Sequence, residues 1–333
     1  MRQAVVTGLL LMLLLFVPPL LFAGPGETGG TESAPPSSAP EETAPSSPLL
    51  DSGTVLRVWN GTSVEEMTLA EYLPGVVRGE MPATFEPQAL AAQAVAERTY
   101  IYYHLQGGPK DAHPDADICT DPGCCSAWTS EDKAREKWGD KFDEYEAKIR
   151  QAVTDTDGQV LLYDGAPILA AFHSSSAGTT ASSGDVWSSD LPYLRSVASP
   201  ENGDTVPNYY SVVTVPAEEF RDTFLSAHPE AVLEGDAAGW ITDVTENGSG
   251  RVESASVGGV TVRGTELRSL YKLRSACFTV SAGEDGVTFR VTGYGHGVGM
   301  SQYGANQLAR EGKTWQEIVA WYYTGVTIGT MPG

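Results

Sequence analysis

The apolar positions of this chain change period several times, and each change marks a predicted element. Ala4 to Ala23 is an apolar run of about 20 residues, the length that spans a bilayer as a helix. Gly24 to Pro48 follows with six prolines, many Ser, Thr and Gly, and no Lys or Arg. Such a stretch cannot bury enough apolar surface to offset its ordering entropy, so a disordered tether is expected over residues 24–50. Val55-Leu56-Arg57-Val58-Trp59 and the segment through Met67 flank Asn60-Gly61, which predicts a hairpin with a tight primed turn. Thr68 is placed to cap a short helix through Leu69, Tyr72 and Val76. Pro87 suits the first turn of a second helix reaching about His104, with Leu90, Ala94 and Ile101 on one face. Strands are predicted at Gln159 to Tyr163, Ile168 to His173, Tyr210 to Val215, and Val260-Thr261-Val262. Thr314 with Glu317 makes a capping box for a last helix through Tyr323, ended by Gly325. Helices and strands mix without a βαβ rhythm or an internal repeat. The fold class is therefore α+β: a single body of two lobes around a substrate cleft, spanning residues 51–333.

Charge narrows the partners. The 333 residues carry 43 Asp plus Glu against 21 Lys plus Arg, a net charge of −22. Nucleic acid and anionic lipid head groups would repel such a chain, whereas uncharged polymers such as glycans remain open. At the N-terminus, Arg2 precedes the apolar run, Pro18-Pro19 weakens its outer end, and Leu21-Phe22-Ala23 makes a poor cleavage site. Residues 1–23 thus read as a signal anchor, with a cleaved signal peptide as the alternative. Either reading puts the body outside the cytoplasm, and the anchor makes it a single-pass membrane protein.

Several residues can carry chemistry. Glu80 lies between the two predicted helices, flanked by Gly79 and Pro82. A carboxyl group among apolar neighbours can hold its proton toward neutral pH, as a general acid must. His173 beside Ser174, Ser175 and Ser176 has no identifiable partner Asp, so a serine hydrolase is disfavoured and a cleft-lining role is expected. Gly293 to Gly299 has Gly at every second position, which permits unusual backbone angles and close approach. Three cysteines cluster in Cys119 to Cys125, with His113 upstream, while Cys277 stands alone as a buried bystander. Outside the cytoplasm such a cluster makes either a disulfide or a tetrahedral zinc site.

Leu-Pro-Gly-Val-Val-Arg-Gly-Glu-Met-Pro at 73–82, followed by Gln-Ala-Leu-Ala-Ala-Gln-Ala-Val-Ala-Glu-Arg-Thr-Tyr at 88–100, resembles the stage II sporulation protein D family. So do Ala171 to Thr180, Asp185-Val186-Trp187 with Pro192-Tyr193-Leu194, Arg263-Gly264 with Leu273-Arg274-Ser275, and Gly295 to Ala305. The blocks cover nearly the whole body in order. This resemblance implies a peptidoglycan lytic transglycosylase that acts during sporulation and cleaves the β-1,4 bond between N-acetylmuramic acid (MurNAc) and N-acetylglucosamine (GlcNAc) in denuded, peptide-free glycan strands, leaving 1,6-anhydro ends. Glu80 falls on the family's catalytic residue. One carboxyl group suffices there because the substrate's own 6-hydroxyl attacks, so no second carboxylate is sought. Arg98 is expected to orient Glu80 or the substrate, with a structural Arg as the alternative. His173, Ser174, Ser176, His296 and Gln302 are expected on the cleft wall. Relatives hold zinc through one His and two Cys, which implies His113, Cys119 and Cys125 around a structural zinc with one open position. The family also implies peptidoglycan glycan strands, a cell-wall amidase and sporulation membrane partners. Amidase-enhancer members imply the alternative of a binding module that stimulates an amidase without cleaving glycan. The chain departs from the family at Ala91, where a Lys is usual, at Gln88 in place of Glu, and at Ala181-Ser182-Ser183-Gly184, where an acidic residue is usual.

Overall fold

Thr68 begins the framework that carries the site. A computed structural model describes residues 50–283 and 286–331. In it Thr68 ends an antiparallel hairpin of β1 (Val55–Trp59) and β2 (Val64–Thr68) and caps α1 (Leu69–Glu80). The cap is a full box: the Thr68 side chain accepts from the Glu71 amide, and the Glu71 side chain accepts from the Thr68 amide. The hairpin loop differs from the expected two-residue turn. Trp59 pairs with Val64, so residues 60–63 form the loop, and the Asn60 side chain accepts from the Thr62 and Ser63 amides. The Asn side chain here takes the place of a primed turn.

Pro87 occupies the first turn of α2 (Pro87–Gly107), which runs three residues beyond the expected end. Residues 89–99 of this helix are buried all round. It packs against α1, α4 (Phe142–Asp155), β4 (Gln159–Tyr163) and two C-terminal helices, α8 (Gln302–Arg310) and α9 (Trp315–Tyr322). Its alanines at 89, 91, 92, 94 and 96 are what let so many neighbours approach one helix. The N-terminal edge of the body is fixed at the same place: the Leu50 and Asp51 amides donate to Asp157. Residues 1–23 and all of the 24–50 tether except Leu50 lie outside the described residues. Among the described residues no helix is long and apolar enough to cross a membrane.

The predicted strands at 159–163 and 210–215 form as expected, and the one at 260 extends to Arg263. The strand predicted over 168–173 shrinks to β6 (Phe172–His173), which pairs in parallel with β13 (Met300–Ser301). The alternating glycines explain this short contact. Gly293, Gly295, Gly297 and Gly299 all have φ between 72° and 114°, and a Cβ on Gly299 would fall 2.0 Å from the Ala171 carbonyl oxygen. The glycine block therefore runs pressed against the chain's own 171–176 segment.

The buried side chains of this α+β body fall into two clusters. One surrounds α2 and draws on residues 56–194 and 298–323. The other joins β7 (Tyr210–Val215), β11 (Phe278–Gly283) and β12 (Gly286–Thr292) to β8 (Ile241–Glu246), β9 (Val252–Val257) and β10 (Val260–Arg263). Phe220, Trp240, Tyr271 and Phe289 pack face to face at its centre. The expected two lobes appear here only as two clusters of buried side chains within one body of described residues.

Candidate active site and metal cluster

Glu80 is the last residue of α1, and the chain next to it is held by a close backbone approach. Gly75 and Gly79 lie one turn apart on the helix. A Cβ on Gly75 would fall 2.0 Å from Trp128, and one on Gly79 would fall 2.3 Å from the Ala127 oxygen. Residues 127–129 thus lie directly on the helix backbone. The Ala127 amide donates to Glu80 Oε1 at 2.6 Å, the Trp128 indole to the Tyr72 carbonyl at 3.2 Å, and the Thr129 amide to the Gly75 carbonyl at 2.9 Å. Gln302 Nε2 donates to the Glu80 carbonyl at 3.1 Å and fixes the helix end from the other side.

Burial raises the proton affinity of the Glu80 carboxyl, and the Ala127 amide and Gln302 pull it back part of the way. Glu80 borders two cavities. One, of about 380 Å³, is also lined by Tyr100, Phe172, Trp187 and His296. The other, of about 340 Å³, includes Met81, Pro82, Trp138 and Tyr145.

A second carboxyl group stands close by, at a position that no motif or spacing in the sequence singles out. Glu97 is fully buried; its oxygens accept from Gln93 Nε2 at 3.1 Å and Ser126 Oγ at 3.0 Å. Burial and the Glu80 charge hold it protonated well above the usual carboxylate range. Ser126 precedes Ala127, so Glu97 anchors the segment that grips Glu80. Spacing along the chain gave no hint of this, because the contact joins α2 to a loop 29 residues on.

Arg98 does not face a cleft. It is fully buried and makes bonds to Asp51 at 2.6 to 3.1 Å, to the Val153 and Gln159 carbonyls, and to Thr156. It fastens the N-terminal edge of the body to α2 and α4, and this corrects the expectation that it orients substrate. His173 and Ser176 are corrected likewise. They are 4% and 1% exposed and bonded to each other at 2.8 Å, with His173 Nδ1 3.2 Å from the Val298 carbonyl. This Ser–His pair is buried, and among the described residues no carboxylate bonds to the His173 ring. Ser174 is half-buried, and its carbonyl accepts from the Tyr303 amide at 3.0 Å. His296 does line the Glu80 cavity, 5.2 Å from the Trp187 ring. Burial, with the charges of Arg268 and Arg251, lowers its pKa to about 4, so it stays neutral.

Upstream of the gripping segment, donor atoms of His113, Cys119, Cys124 and Cys125 all lie within 4.8 Å of one another. His113 Nδ1 is 3.1 Å from the Ala116 carbonyl and donates there, which leaves Nε2 free to face Cys125 Sγ at 3.5 Å. Cys124 and Cys125 sulfurs are 3.9 Å apart, and all four cysteines of the chain are free thiols. Tetrahedral zinc with sulfur at about 2.3 Å and nitrogen at about 2.0 Å needs donors spaced roughly 3.5 to 3.8 Å, so the set fits a metal ion. Cys124 adds a fourth donor to the three expected from sequence. Burial raises the Cys125 thiol, but the Cys119 amide and thiol, His113 and Lys110 outweigh it and leave Cys125 below its ordinary value.

The Stage II sporulation protein family model matches residues 60–163. The chain is 38% identical to stage II sporulation protein D of Bacillus subtilis, over 98% of this chain and 96% of that protein. It is 37% identical to the protein of the same name from Bacillus amyloliquefaciens, over 80% and 75% respectively. It is also 29% identical to the amidase enhancer of Bacillus subtilis, over 77% of this chain and 40% of that protein.

Proposed function

Because the chain belongs to the stage II sporulation protein D family, we propose that it is a peptidoglycan lytic transglycosylase acting during sporulation, with Glu80 as its acid and base. One observation carries the reading: Glu80 sits on the shared edge of two cavities, each with aromatic walls. A glycan strand laid across that edge would place one sugar on each side of the carboxyl, with apolar sugar faces against Tyr100 and Trp187 on one side and Trp138 and Tyr145 on the other.

The chemistry follows from the surroundings of Glu80. Burial keeps the proton on the carboxyl until the glycosidic oxygen between MurNAc and GlcNAc takes it and the C1–O4 bond breaks. The resulting carboxylate is stabilised by the Ala127 amide. It then removes the proton from the MurNAc 6-hydroxyl as O6 closes on C1. Glu80 ends protonated, the product carries a 1,6-anhydro ring, and no water is consumed. Glu97, held neutral, adds no competing negative charge beside the reacting ring.

His113, Cys119, Cys124 and Cys125 would hold zinc. When bound, it would supply a crosslink rather than a reactive position, because four protein donors close the site. That crosslink would anchor the start of the segment whose Ala127 amide bonds Glu80. The body would work outside the cytoplasm, held to the membrane through residues 4–23 and the 24–50 tether. The likeness to a protein named amidase enhancer supports a cell-wall amidase as a partner. The reading is tested by incubating isolated glycan strands with the protein and weighing the products. Fragments ending in 1,6-anhydro-MurNAc support it, and reducing ends made by hydrolysis, or no fragments, contradict it.

A further inference from the structure

The cysteine cluster reaches the space beside Glu80. Cys125 lines the cavity of about 380 Å³ together with Glu80, Tyr100 and Trp187, whereas Cys119 is only 2% exposed. Three polar groups hold the Cys125 sulfur in place. Lys110 Nζ donates to it at 3.3 Å, the Cys119 amide donates at 3.4 Å, and His113 Nε2 faces it at 3.5 Å. The sulfurs of Cys119 and Cys124 both lie within 4.8 Å of it. A Cys119–Cys125 bridge would draw its two sulfurs together by about 3 Å at most. A bridge between the adjacent Cys124 and Cys125 would strain the peptide bond that joins them.

What happens at Cys125 is felt at Glu80. Ser126 follows it and donates to Glu97 at 3.0 Å, and the next amide, Ala127, donates to Glu80 Oε1 at 2.6 Å. A group added to the Cys125 sulfur would occupy the cavity, and a bridge to Cys119 would pull on the segment that grips the carboxyl.

We propose that Cys125 is a thiol-modification site in the wall of the Glu80 cavity, that its reagent is a low-mass disulfide, and that Cys119 resolves the adduct. The Cys125 sulfur bonds to one sulfur of the incoming disulfide. The incoming S–S bond breaks, and its other half leaves as a thiol with the Cys125 proton. The Cys119 sulfur then bonds to Cys125 Sγ and displaces the second half, which leaves with the Cys119 proton. Two protein thiols are oxidised, and one disulfide is reduced to two thiols. A metal on the cluster would lose two of its four donors in the same event. The chemistry suits the oxidising surroundings of a body outside the cytoplasm. Its effect on cleavage rests on the Glu80 reading, whereas the modification itself does not.

The test incubates full-length protein, purified without chelator, with oxidised glutathione. Remaining thiols are then alkylated and the peptides mapped by mass spectrometry. A glutathione adduct should appear on Cys125 and give way to a Cys119–Cys125 bridge, with Cys124 still alkylated and zinc released in parallel. Release of anhydro ends should fall roughly tenfold or more and return with dithiothreitol and zinc. Cys277→Ser, a change at a buried cysteine outside the cluster, should respond as wild type does. No adduct, an adduct confined to Cys124 or Cys277, or a Cys124–Cys125 bridge overturns the site. An adduct that stays on Cys125 without bridging overturns the role of Cys119. Undiminished cleavage by fully bridged protein overturns the link to Glu80. Protein that never cuts glycan yet forms the Cys125 adduct and the bridge contradicts the glycan reading and supports the modification site.

Discussion

Gly79→Ala tests whether the segment at Ala127 fixes the Glu80 carboxyl, the acid and base of the proposed reaction. The new Cβ would fall 2.3 Å from the Ala127 oxygen, and ordinary contact begins at 3.4 Å, so helix and segment must separate by about 1 Å. Both are main chain and neither can rotate away. Overpacking of this kind costs about 1–3 kcal/mol, offset by the roughly 1 kcal/mol that Ala gains over Gly within a helix. The net loss of about 0–2 kcal/mol should lower Tm by no more than about 5 °C. Activity should suffer far more. The Ala127 amide leaves the 2.6 Å bond that holds Glu80 Oε1, and a displacement of about 1 Å in a reacting group can cost on the order of 100-fold in rate. Scanning calorimetry with timed release of anhydro-muropeptides separates the two effects. Gly107→Ala, with nothing near its new Cβ, is the control and should match wild type. Full activity and an unchanged Tm in Gly79→Ala would refute the claim that this contact positions Glu80.

Protein purified without chelator should carry one zinc per chain, and Cys124→Ser or Cys119→Ser should lose it. The same variants should melt about 5–10 °C lower if about 3 kcal/mol of metal-linked stability goes with the metal, as calorimetry and metal analysis would show. Three-ligand binding with full retention in Cys124→Ser would restore the open site expected from sequence. Because Glu80 must start protonated and its pKa is raised, kcat/KM should fall as pH rises through that raised value; a profile flat to alkaline pH would contradict an acid role. Glu97 has a folded pKa above its unfolded value, so its contribution is fully present at acid pH and is lost as pH rises through the folded value. Glu97→Gln should therefore melt near wild type at pH 5 and progressively above it toward pH 9, by thermal scans at each pH.

Much of the frame was legible because local chemistry decides it. The Thr68 and Thr314 caps, Pro87 at a helix start, and the strands at 159 and 210 each follow from residues within a few positions. The motif singles out Glu80, and the glycine before it has a steric reason in the contact with Ala127. What the sequence could not show is set by distant packing. Arg98 reads as a site residue because its motif adjoins the catalytic block, yet its partner Asp51 lies 47 residues earlier. His173 and Ser176 read as cleft walls because hydroxyls suit sugars, but the glycine block folds over them. Glu97 and Cys124 were passed over because their meaning depends on where the loop at 124–129 lands. The 168–173 strand failed because its apolar run is buried by coil rather than by a full sheet.

The most direct measurement is mass spectrometry of peptide-free glycan strands treated with wild-type and Glu80→Gln protein side by side. The account predicts 1,6-anhydro-MurNAc ends from the wild type and none above background from Glu80→Gln, which should fold and bind strands as before. Anhydro ends released by Glu80→Gln at the wild-type rate would contradict Glu80 as the acid and base.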